Sequence, residues 1–436
     1  MLRRLSTSLT LLWVVVLFVV PLPLLAAFSL GGSGLTPPVG FGIIAYSWML
    51  TAVFLASRPR WADELVGLPH LYMVHGILSV CALALAWAHA MLSQLSGAAA
   101  TFGFAALYLL TFLVLCALVF LAGWLAQRVR WVAALRRRLE RGVRHETSVR
   151  IHLFTLVAVS LVFLHVQFIF YIRENLAFEA LFVAETVLVL GRFFVSGARE
   201  QRGAVAATVA SARQVAERTT ELVLEAPRGS KLSWHAGDFA FIRFPEVAGL
   251  EEYHPFSMTN APEADGVAAA DVATTGPRLV FGIRADGDFT RGVASLRPGA
   301  RAEVLPPYGR YQHFIEAHEK DVPLVMIAGG IGVTPLLSLL AAYADTGRPI
   351  AFLYGARSER DMVYEAPLRD LASTRANLRL VLKAGERLTE DEVASCMAPR
   401  AVYLIAGPYL MQRAWRRFLA QRGVDADDVY YEPFSM

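Results

Sequence analysis

Pro323-Leu-Val-Met-Ile-Ala-Gly-Gly-Ile-Gly-Val-Thr-Pro335 joins a short apolar run to a glycine-rich loop. The apolar run has the length and composition of a buried strand, and residues 336–344 continue as an apolar helical stretch. Glycines let a backbone approach a pyrophosphate closely, and the first turn of a helix offers free N–H groups and a positive dipole end. The placement of this loop between a strand and a helix therefore predicts a site for a nucleotide phosphate.

Two domain patterns surround this loop. From about residue 317 to residue 436, apolar strands at 323–328, 351–354, 378–382 and 401–406 alternate with helical stretches, which predicts a parallel α/β nucleotide-binding domain. Residues 201–316 contain short alternating segments, such as 221–225, 239–244 and 279–284, separated by Gly and Pro turns. This second pattern predicts a small antiparallel β-barrel.

The first 200 residues have a different composition. The chain of 436 residues is 56% hydrophobic, and almost all of its long apolar runs lie in this part. That content is too high for a soluble protein of this size, so we expect a membrane domain over residues 1–200. The net charge of +4 is small and the basic residues lie in short loops, which argues against nucleic-acid binding. The three cysteines have no metal-binding or disulfide spacing.

Six runs are candidates to cross a bilayer, which requires about 20 apolar residues for about 30 Å of hydrocarbon. They are residues 9–28, 40–57, 70–92, 104–126, 149–171 and 176–196. The last contains Glu179, Glu185 and Arg192, and it is included because the chain must return to the side of the soluble domains. The first run, with its Arg3-Arg4 start, also resembles a cleaved signal peptide, but the six-span topology needs it.

Arginines indicate the orientation of these spans. They cluster at the N-terminus, between spans two and three, between spans four and five, and after span six, whereas the intervening connections carry at most one basic residue each. The positive-inside rule then places both termini in the cytoplasm. The scarcity of lysine beside abundant arginine suggests a GC-rich bacterial source, and hence a bacterial inner membrane.

Four histidines lie inside two of the spans, His75 and His89 on the third, and His152 and His165 on the fifth. These spans run in the same direction, so His75 lies at the depth of His152, and His89 at the depth of His165. Histidine in hydrocarbon is costly unless it has a role, and two imidazoles at one depth suit bis-histidine ligation of a b-type haem. The pattern predicts two stacked haems; helix-packing or proton-relay histidines in a haem-free bundle are the alternative. The spacing of 13 between His152 and His165 requires a bend or tightening, because an ideal helix would turn them about 140° apart.

Several motifs carry a family resemblance. His254-Pro-Phe-Ser-Met-Thr-Asn-Ala-Pro262 resembles the flavin-binding motif of the NADPH oxidase and ferric reductase superfamily, and Gly282-Ile-Arg-Ala-Asp-Gly-Asp-Phe-Thr290 resembles its second FAD segment. Residues 328–335, 406–408 and 432–434 resemble the nicotinamide-binding elements of ferredoxin–NADP reductase-type modules. The histidine spacings of 14 and 13 match the haem arrangement of the superfamily. The chain is thus similar to a bacterial single-chain NADPH oxidase-like member.

The resemblance implies roles for individual residues. His254, Pro255, Phe256 and Ser257 would lie beside the isoalloxazine, and Arg284 and Thr290 would hold the FAD phosphates. The pyrophosphate of the nicotinamide nucleotide would contact Gly330, Gly332 and Thr334, with Gly407 and Pro408 near the nicotinamide. Phe434 would stack on the flavin and move aside for hydride transfer, which takes place near Ala406, where the family usually has cysteine. Arg357 and Arg360 follow the second α/β strand, where a cation suits the 2′-phosphate of NADPH, with NADH as the alternative donor.

The complete expectation is a multi-domain fold, in which a six-helix transmembrane haem bundle precedes a ferredoxin–NADP reductase-like module. Electrons would pass from NADPH through FAD and two b-type haems to an acceptor outside. O2, giving superoxide, is the first expectation and ferric iron the alternative; a quinone or an extracytoplasmic protein remains as a further acceptor. A haem-free, membrane-anchored flavoreductase is the lesser alternative. No calcium-binding loop or proline-rich segment is evident, so no activator protein is expected.

Overall fold

The computed structural model describes residues 5–32, 34–120, 125, 129, 132, 134, 135, 138, 145–262 and 276–432. Two compact units divide the chain. One consists mainly of residues 7–62 and 68–198, and the other mainly of residues 199–434, together with residues 63–67.

The first unit is helical. Its helices are α1 (Leu5–Val14), α2 (Leu22–Leu30), α3 (Pro37–Ala56), α4 (Arg60–Val66), α5 (Leu68–Leu92), α6 (Gly97–Phe120), α7 (His145–Leu153), α8 (Thr155–Gln167), α9 (Phe170–Arg173) and α10 (Leu176–Arg202). A π-helical turn, Val15–Val19, separates α1 from α2. The irregularity comes just before Pro21, which has no N–H to donate and cannot continue a regular helix.

Five stretches are long and apolar enough to cross a membrane: Ser8–Leu30, Pro37–Ala56, Leu68–Leu92, Gly97–Phe120 and Thr147–Gln167. The predicted sixth span, 176–196, is helical within α10 but is not among them; it contains Glu179, Glu185 and Arg192. The fourth begins at Gly97, earlier than predicted, and its predicted last residues, 121–126, lie almost entirely outside the described part. The fifth is shorter than predicted, since α8 ends at Gln167.

Apolar side chains cover the outside of the helical unit. On α6, four large side chains at intervals of three or four residues are exposed, namely Phe104, Tyr108, Phe112 and Leu115. One face of this helix is therefore apolar and uncovered, a surface that suits lipid and would be costly in water. Together with the long apolar helices, this face associates the first unit with a membrane.

The second unit begins with an antiparallel β-barrel. Its strands are β1 (Val205–Ala216), β2 (Thr219–Glu225), β3 (Phe239–Arg243), β4 (His254–Ser257), β5 (Arg278–Arg284) and β6 (Arg301–Val304), in the order β4-β3-β6-β1-β2-β5. Met258, directly after β4, forms a bridge with Phe281 of β5, and this contact closes the sheet. Closure leaves no open edge and encloses a core that includes Phe244, Met258 and Phe281. The short helix α11 (Asp288–Gly292) follows β5, and α12 (Tyr311–Glu316) follows the barrel.

The unit ends with a parallel sheet. Its strands are β7 (Leu324–Gly329), β8 (Ile350–Ala356), β9 (Leu378–Ala384), β10 (Val402–Ala406) and β11 (Val429–Tyr431), in the order β11-β10-β7-β8-β9. Its helices are α13 (Val333–Tyr343), α14 (Glu365–Thr374), α15 (Glu390–Ser395) and α16 (Tyr409–Gln421). The strand order reverses between β7 and β10, and ligands of such sheets bind at the carboxyl ends of the strands at that point.

Candidate functional site

The four histidines of α5, α7 and α8 that the sequence analysis singles out lie in two facing pairs. The ring centroids of His75 and His152 are 6.0 Å apart with 76° between the planes. Those of His89 and His165 are also 6.0 Å apart, with 84° between the planes. Residues of α5 thus face residues of α7 and α8 at two levels, in the combinations that the sequence predicts.

Three of these imidazoles are held by backbone carbonyls of neighbouring helices. Nδ1 of His75 lies 2.9 Å from the carbonyl oxygen of Ala52, and Nδ1 of His89 lies 2.8 Å from that of Pro38, both on α3. Nδ1 of His165 lies 2.7 Å from the carbonyl oxygen of Ala99 on α6. A carbonyl only accepts, so Nδ1 must carry the proton, and Nε2 keeps its lone pair. Nε2 of these three residues is thereby available to bind a metal.

A break between α7 and α8 accompanies the 13-residue spacing of His152 and His165. Phe154 has ψ of −8° and donates its N–H to the carbonyl oxygen of Ile151, three residues earlier, at 3.0 Å. The hydroxyl of Thr155 donates to the carbonyl oxygen of His152 at 2.8 Å. The helix is therefore tightened between the two histidines, and both rings face α5 partners.

Two glycines lie directly beneath the His89 and His165 rings. A β-carbon on Gly42 would be 3.0 Å from Nδ1 of His89, and one on Gly103 would be 2.7 Å from Nδ1 of His165. Both histidines also line a cavity of about 480 Å³. Its walls are mainly apolar, with polar groups from Thr36, Tyr46, Ser93, Gln94 and Tyr171. Apolar volumes of this size with a few polar groups are typical of cofactor sites.

The predicted isoalloxazine contacts form strand β4. His254, Pro255, Phe256 and Ser257 are all half-buried on this strand, which pairs with β3. The ring of Phe289, on α11, lies 4.1 Å from that of His254 and 5.8 Å from that of Phe256. Phe289 is only 5% exposed, so it supports the motif from inside the barrel.

Arg284 and Thr290 are tied into the loop after β5. Nε of Arg284 forms an ion pair with Asp286 at 3.1 Å, and Arg218 contacts the same carboxylate at 3.3 Å. The hydroxyl of Thr290 accepts from the N–H groups of Asp286 and Gly287 and donates to the carbonyl oxygen of Gly287. Its hydrogen-bonding capacity is thus used within the loop, whereas Nη1 and Nη2 of Arg284 form no hydrogen bond with the described residues. Nη1 of Arg284 lies 3.9 Å from a β-carbon built on Gly330, beside the glycine-rich loop.

The predicted phosphate loop lies at the point where the parallel sheet reverses its strand order. Gly330 has φ of +56°, a conformation that favours glycine. A β-carbon on Gly332 would lie 2.5 Å from the backbone nitrogen of Gly407, which follows β10. Glycine is therefore required here for the two loops to approach. The hydroxyl of Thr334 donates to the carbonyl oxygen of Ile331 at 3.0 Å, and its methyl group packs near Gly282 of β5.

The remaining predicted contacts differ in their surroundings. Arg357 is exposed after β8, while the exposed guanidinium of Arg360 lies 4.0 Å from Glu217. Ala406 is fully buried at the end of β10, and Pro408 is exposed. Phe434 lies outside the described residues.

Gln412, which no sequence motif marks, joins the loop after β10 to Glu432. Nε2 of Gln412 donates to the carbonyl oxygens of Gly407 and Glu432, at 3.0 and 2.9 Å. The buried carboxyl of Glu432 accepts from the hydroxyl of Tyr430 and from the N–H of Arg310. Burial raises the pKa of Glu432 to about 8. No local pattern marks Gln412, Gly42 or Gly103, because their partners are distant in the chain.

Comparison with known proteins supports both domains of the second unit. Residues 205–297 match the model of an FAD-binding domain, and residues 326–416 match that of an oxidoreductase NAD-binding domain. One component of the Na(+)-translocating NADH-quinone reductase from Yersinia pseudotuberculosis is 26% identical over 217 residues, which are 45% of this chain and 52% of that protein. The corresponding component from Methylococcus capsulatus is 26% identical over 277 residues, 52% of this chain and 67% of that protein. The chain thus spans only about half the length of the first of these relatives.

A solved structure shows the same kind of fold. Flavohemoglobin from Malassezia yamatoensis, with bound FAD and heme, aligns with a TM-score of 0.51 at 16% identity, covering 90% of this chain and 96% of that one. At this identity the likeness concerns the fold alone. The FAD- and NAD-binding domains make the chain an NAD(P)H-dependent flavin oxidoreductase, and its second half is a ferredoxin reductase-like module.

Proposed function

We propose that this chain carries electrons from NADPH, or from NADH as the alternative donor, through FAD and two b-type haems to an acceptor across a bilayer. The observation that carries the proposal is the facing of His75 with His152 and of His89 with His165, within helices long enough to span a membrane. A flavin oxidoreductase with only a helical anchor would not need two such pairs.

The paired imidazoles fit a bis-histidine haem. Two metal–nitrogen bonds of about 2 Å and two ring radii of about 1.1 Å would separate the ring centroids by about 6 Å. Both pairs have this separation, at 6.0 Å. Three of the four Nε2 atoms are set as acceptors by their Nδ1 hydrogen bonds, which is the state that ligates iron. The residues present therefore fit the group, and the chemistry that it supplies is one-electron transfer.

Residues of the second unit would bind and orient the nucleotides. FAD would lie along His254, Pro255, Phe256 and Ser257, with its phosphates near Arg284 and the Thr290 loop. The pyrophosphate of NADPH would lie on the Gly330, Gly332 and Thr334 loop, and Arg357 would reach its 2′-phosphate. Gly407 and Pro408 would border the nicotinamide, with Ala406 behind them and Phe434 over the flavin. When bound, flavin would supply the change from a two-electron donor to the single electrons that haem iron accepts.

A six-span topology follows if α10 crosses the bilayer despite its charges. Both termini would then be cytoplasmic, in a bacterial inner membrane, as the arginine pattern predicts. Because no activator-binding segment is evident in the sequence, we expect activity without an added protein.

The surroundings of the His89/His165 pair favour a neutral acceptor. Within the described part of the chain, no Asp, Glu, Lys or Arg lines the cavity beside this pair. A highly charged ferric chelate would find no complementary group there, whereas O2 needs none. Superoxide production is therefore our first proposal and ferric reduction the alternative. Quinone reduction is a third candidate, favoured by the activity named for the relatives.

The decisive experiment is an anaerobic reduced-minus-oxidised visible spectrum of purified protein supplied with FAD and NADPH, with haem quantified per chain. Two b-type haems reduced by NADPH are expected. A protein without haem whose flavin is still reduced would be a membrane-anchored flavoreductase, contrary to the proposal. Parallel assays with O2, ferric citrate and a short-chain quinone would then identify the acceptor.

A further inference from the structure

The two histidine pairs differ in how firmly their rings are held. We propose that His152 is the least constrained of the four ligands, and that the His75/His152 site consequently has the more positive midpoint potential. The inference rests on the proposed function, because it presupposes haem at both pairs.

Hydrogen bonding separates His152 from the other three histidines. Nδ1 of His75, His89 and His165 each lies within hydrogen-bonding distance of a backbone carbonyl oxygen on a neighbouring helix. Nδ1 of His152 is buried and has no hydrogen-bond partner among the described residues. No hydrogen bond from the described residues therefore sets its tautomer and ring orientation.

Backbone geometry explains the difference. The carbonyls of Ala52 and Pro38 are fourteen positions apart on α3, as are the histidines that they contact on α5. The regular packing of α3 against α5 thus provides a carbonyl acceptor for each of the two α5 histidines. The fifth span is interrupted at Phe154, directly after α7, so His152 does not share the regular packing that brings His165 of α8 to Ala99.

Backbone contact with the imidazole rings also distinguishes the His89/His165 pair from the His75/His152 pair. Gly42 and Gly103 place backbone directly beneath the His89 and His165 rings. Among the glycines whose β-carbon contacts the structure describes, none has its β-carbon position against His75 or His152. The His89/His165 pair is thus fixed by both hydrogen bonds and backbone contact.

The consequence for the bound iron follows from ligand basicity. An Nδ1–H···O=C bond makes imidazole a stronger electron donor, which stabilises the oxidised iron more than the reduced iron. The site with one such bond should be reduced before the site with two. Loss of a hydrogen-bond partner of a metal ligand typically changes metal binding or activity by about tenfold or more. A tenfold difference in electron occupancy between the two sites corresponds to about 59 mV for a one-electron couple.

Ser148 offers a way to test this inference. Ser148 lies one helical turn before His152 on α7. Because side chains in a helix lean toward its N-terminus, the His152 ring leans toward Ser148. The Ser148 hydroxyl is buried and has no hydrogen-bond partner among the described residues. Ser148→Asn would place a neutral carbonyl acceptor near Nδ1 of His152. Ser148→Ala is the matched control, since it changes the same position without supplying an acceptor.

The measurement is a potentiometric titration of the haem-loaded, full-length protein, followed by its visible spectrum. We expect two midpoints in the unmodified protein, of which only the more positive shifts negative in Ser148→Asn, while Ser148→Ala leaves both in place. The His165→Leu variant, expected to keep one haem, should retain the more positive midpoint. Coincident midpoints, or a shift of the more negative midpoint, would overturn the inference and leave the proposed function intact. Absence of haem from the unmodified protein would instead overturn the proposed function.

Discussion

The backbone of Gly103 lies against the imidazole of His165, so that a β-carbon at position 103 would come within 2.7 Å of Nδ1. Real β-carbons do not approach other atoms so closely, and the ring could not keep its 2.7 Å contact with the Ala99 carbonyl. We therefore expect Gly103→Ala to displace His165 and reduce the haem content from two toward one per chain. Gly191→Ala on α10 is the control, because nothing lies within 4 Å of its β-carbon position. Full haem content in Gly103→Ala would contradict the role assigned to this glycine.

Asn175 should stabilise the helical unit. Its side chain is 4% exposed, donates to the carbonyl oxygen of Phe28 at 2.9 Å and accepts from the N–H of Phe178 at 3.2 Å. Asn175→Ala would leave these backbone groups unpaired in a buried site, at a cost of about 1–3 kcal/mol. Thermal unfolding in detergent should show a lower midpoint temperature than in Ser29→Ala, which removes an exposed hydroxyl that donates to the carbonyl oxygen of Leu25. Equal midpoints in the two variants would disprove the expected contribution.

Arg284 should contribute to the binding of both nucleotides. It belongs to the predicted second FAD segment, and its Nη1 lies 3.9 Å from a β-carbon built on Gly330 in the glycine-rich loop. Losing charge-assisted hydrogen bonds of this type costs about 1.5–3 kcal/mol each. In Arg284→Gln we expect weaker retention of FAD and, at saturating FAD, a KM for NADPH that is higher by about tenfold or more. Arg218→Gln is the control, since Arg218 contacts the same Asp286 carboxylate. A change in FAD retention with an unchanged KM for NADPH would show that Arg284 contributes to FAD binding and not to NADPH binding.

Arg357 should select NADPH over NADH. It is exposed after β8 and forms no ion pair with the described residues, whereas Arg360 lies 4.0 Å from Glu217. Arg357→Ala should raise the KM for NADPH by about tenfold and leave that for NADH unchanged, because only the phosphorylated nucleotide loses a charge-assisted contact. Arg369→Ala removes another exposed arginine, paired with Glu365 on α14, and should alter neither KM. Parallel increases for both nucleotides in Arg357→Ala would argue against selection at the 2′-phosphate.

Glu432 should make the stability of the second unit dependent on pH. Its pKa is raised from the ordinary 4.5 to about 8, mainly by burial, so the folded protein binds more protons than the unfolded chain between these values. Stability should therefore fall as the pH rises from about 4.5 to about 8.

Glu432→Gln tests this dependence. The amide oxygen can still accept from the hydroxyl of Tyr430 and the N–H of Arg310. We expect a flatter profile of unfolding temperature against pH and a more stable variant at pH 8. Glu432→Ala should instead be less stable at every pH, since both donors lose their acceptor. An unchanged slope in Glu432→Gln would assign the pH dependence to other groups.

Local patterns were sufficient for much of this architecture. The apolar run before Gly329 and the helix after Gly332 predicted the parallel sheet and its phosphate loop, because periodicity and glycine placement are properties of neighbouring residues. The equal depths of His75 with His152 and of His89 with His165 followed from helical rise and span direction alone. Local patterns did not decide whether α10 crosses a membrane, because hydropathy alone is inconclusive for a helix with charged residues.

Tertiary structure decided how these groups are held. Pro38 and His89 are 51 residues apart, Ala99 and His165 are 66 apart, and the Gln412 contact with Glu432 spans 20. Among the described residues, no carbonyl meets Nδ1 of His152 in the way that one meets each of its three counterparts, and the helix is interrupted at Phe154, two residues later. The sequence by itself determined which chemical groups the chain carries and the level at which each lies, because these depend on local geometry. Only packing decided which backbone carbonyl, glycine or carboxylate meets each group, because those contacts depend on the direction of side chains across separate elements.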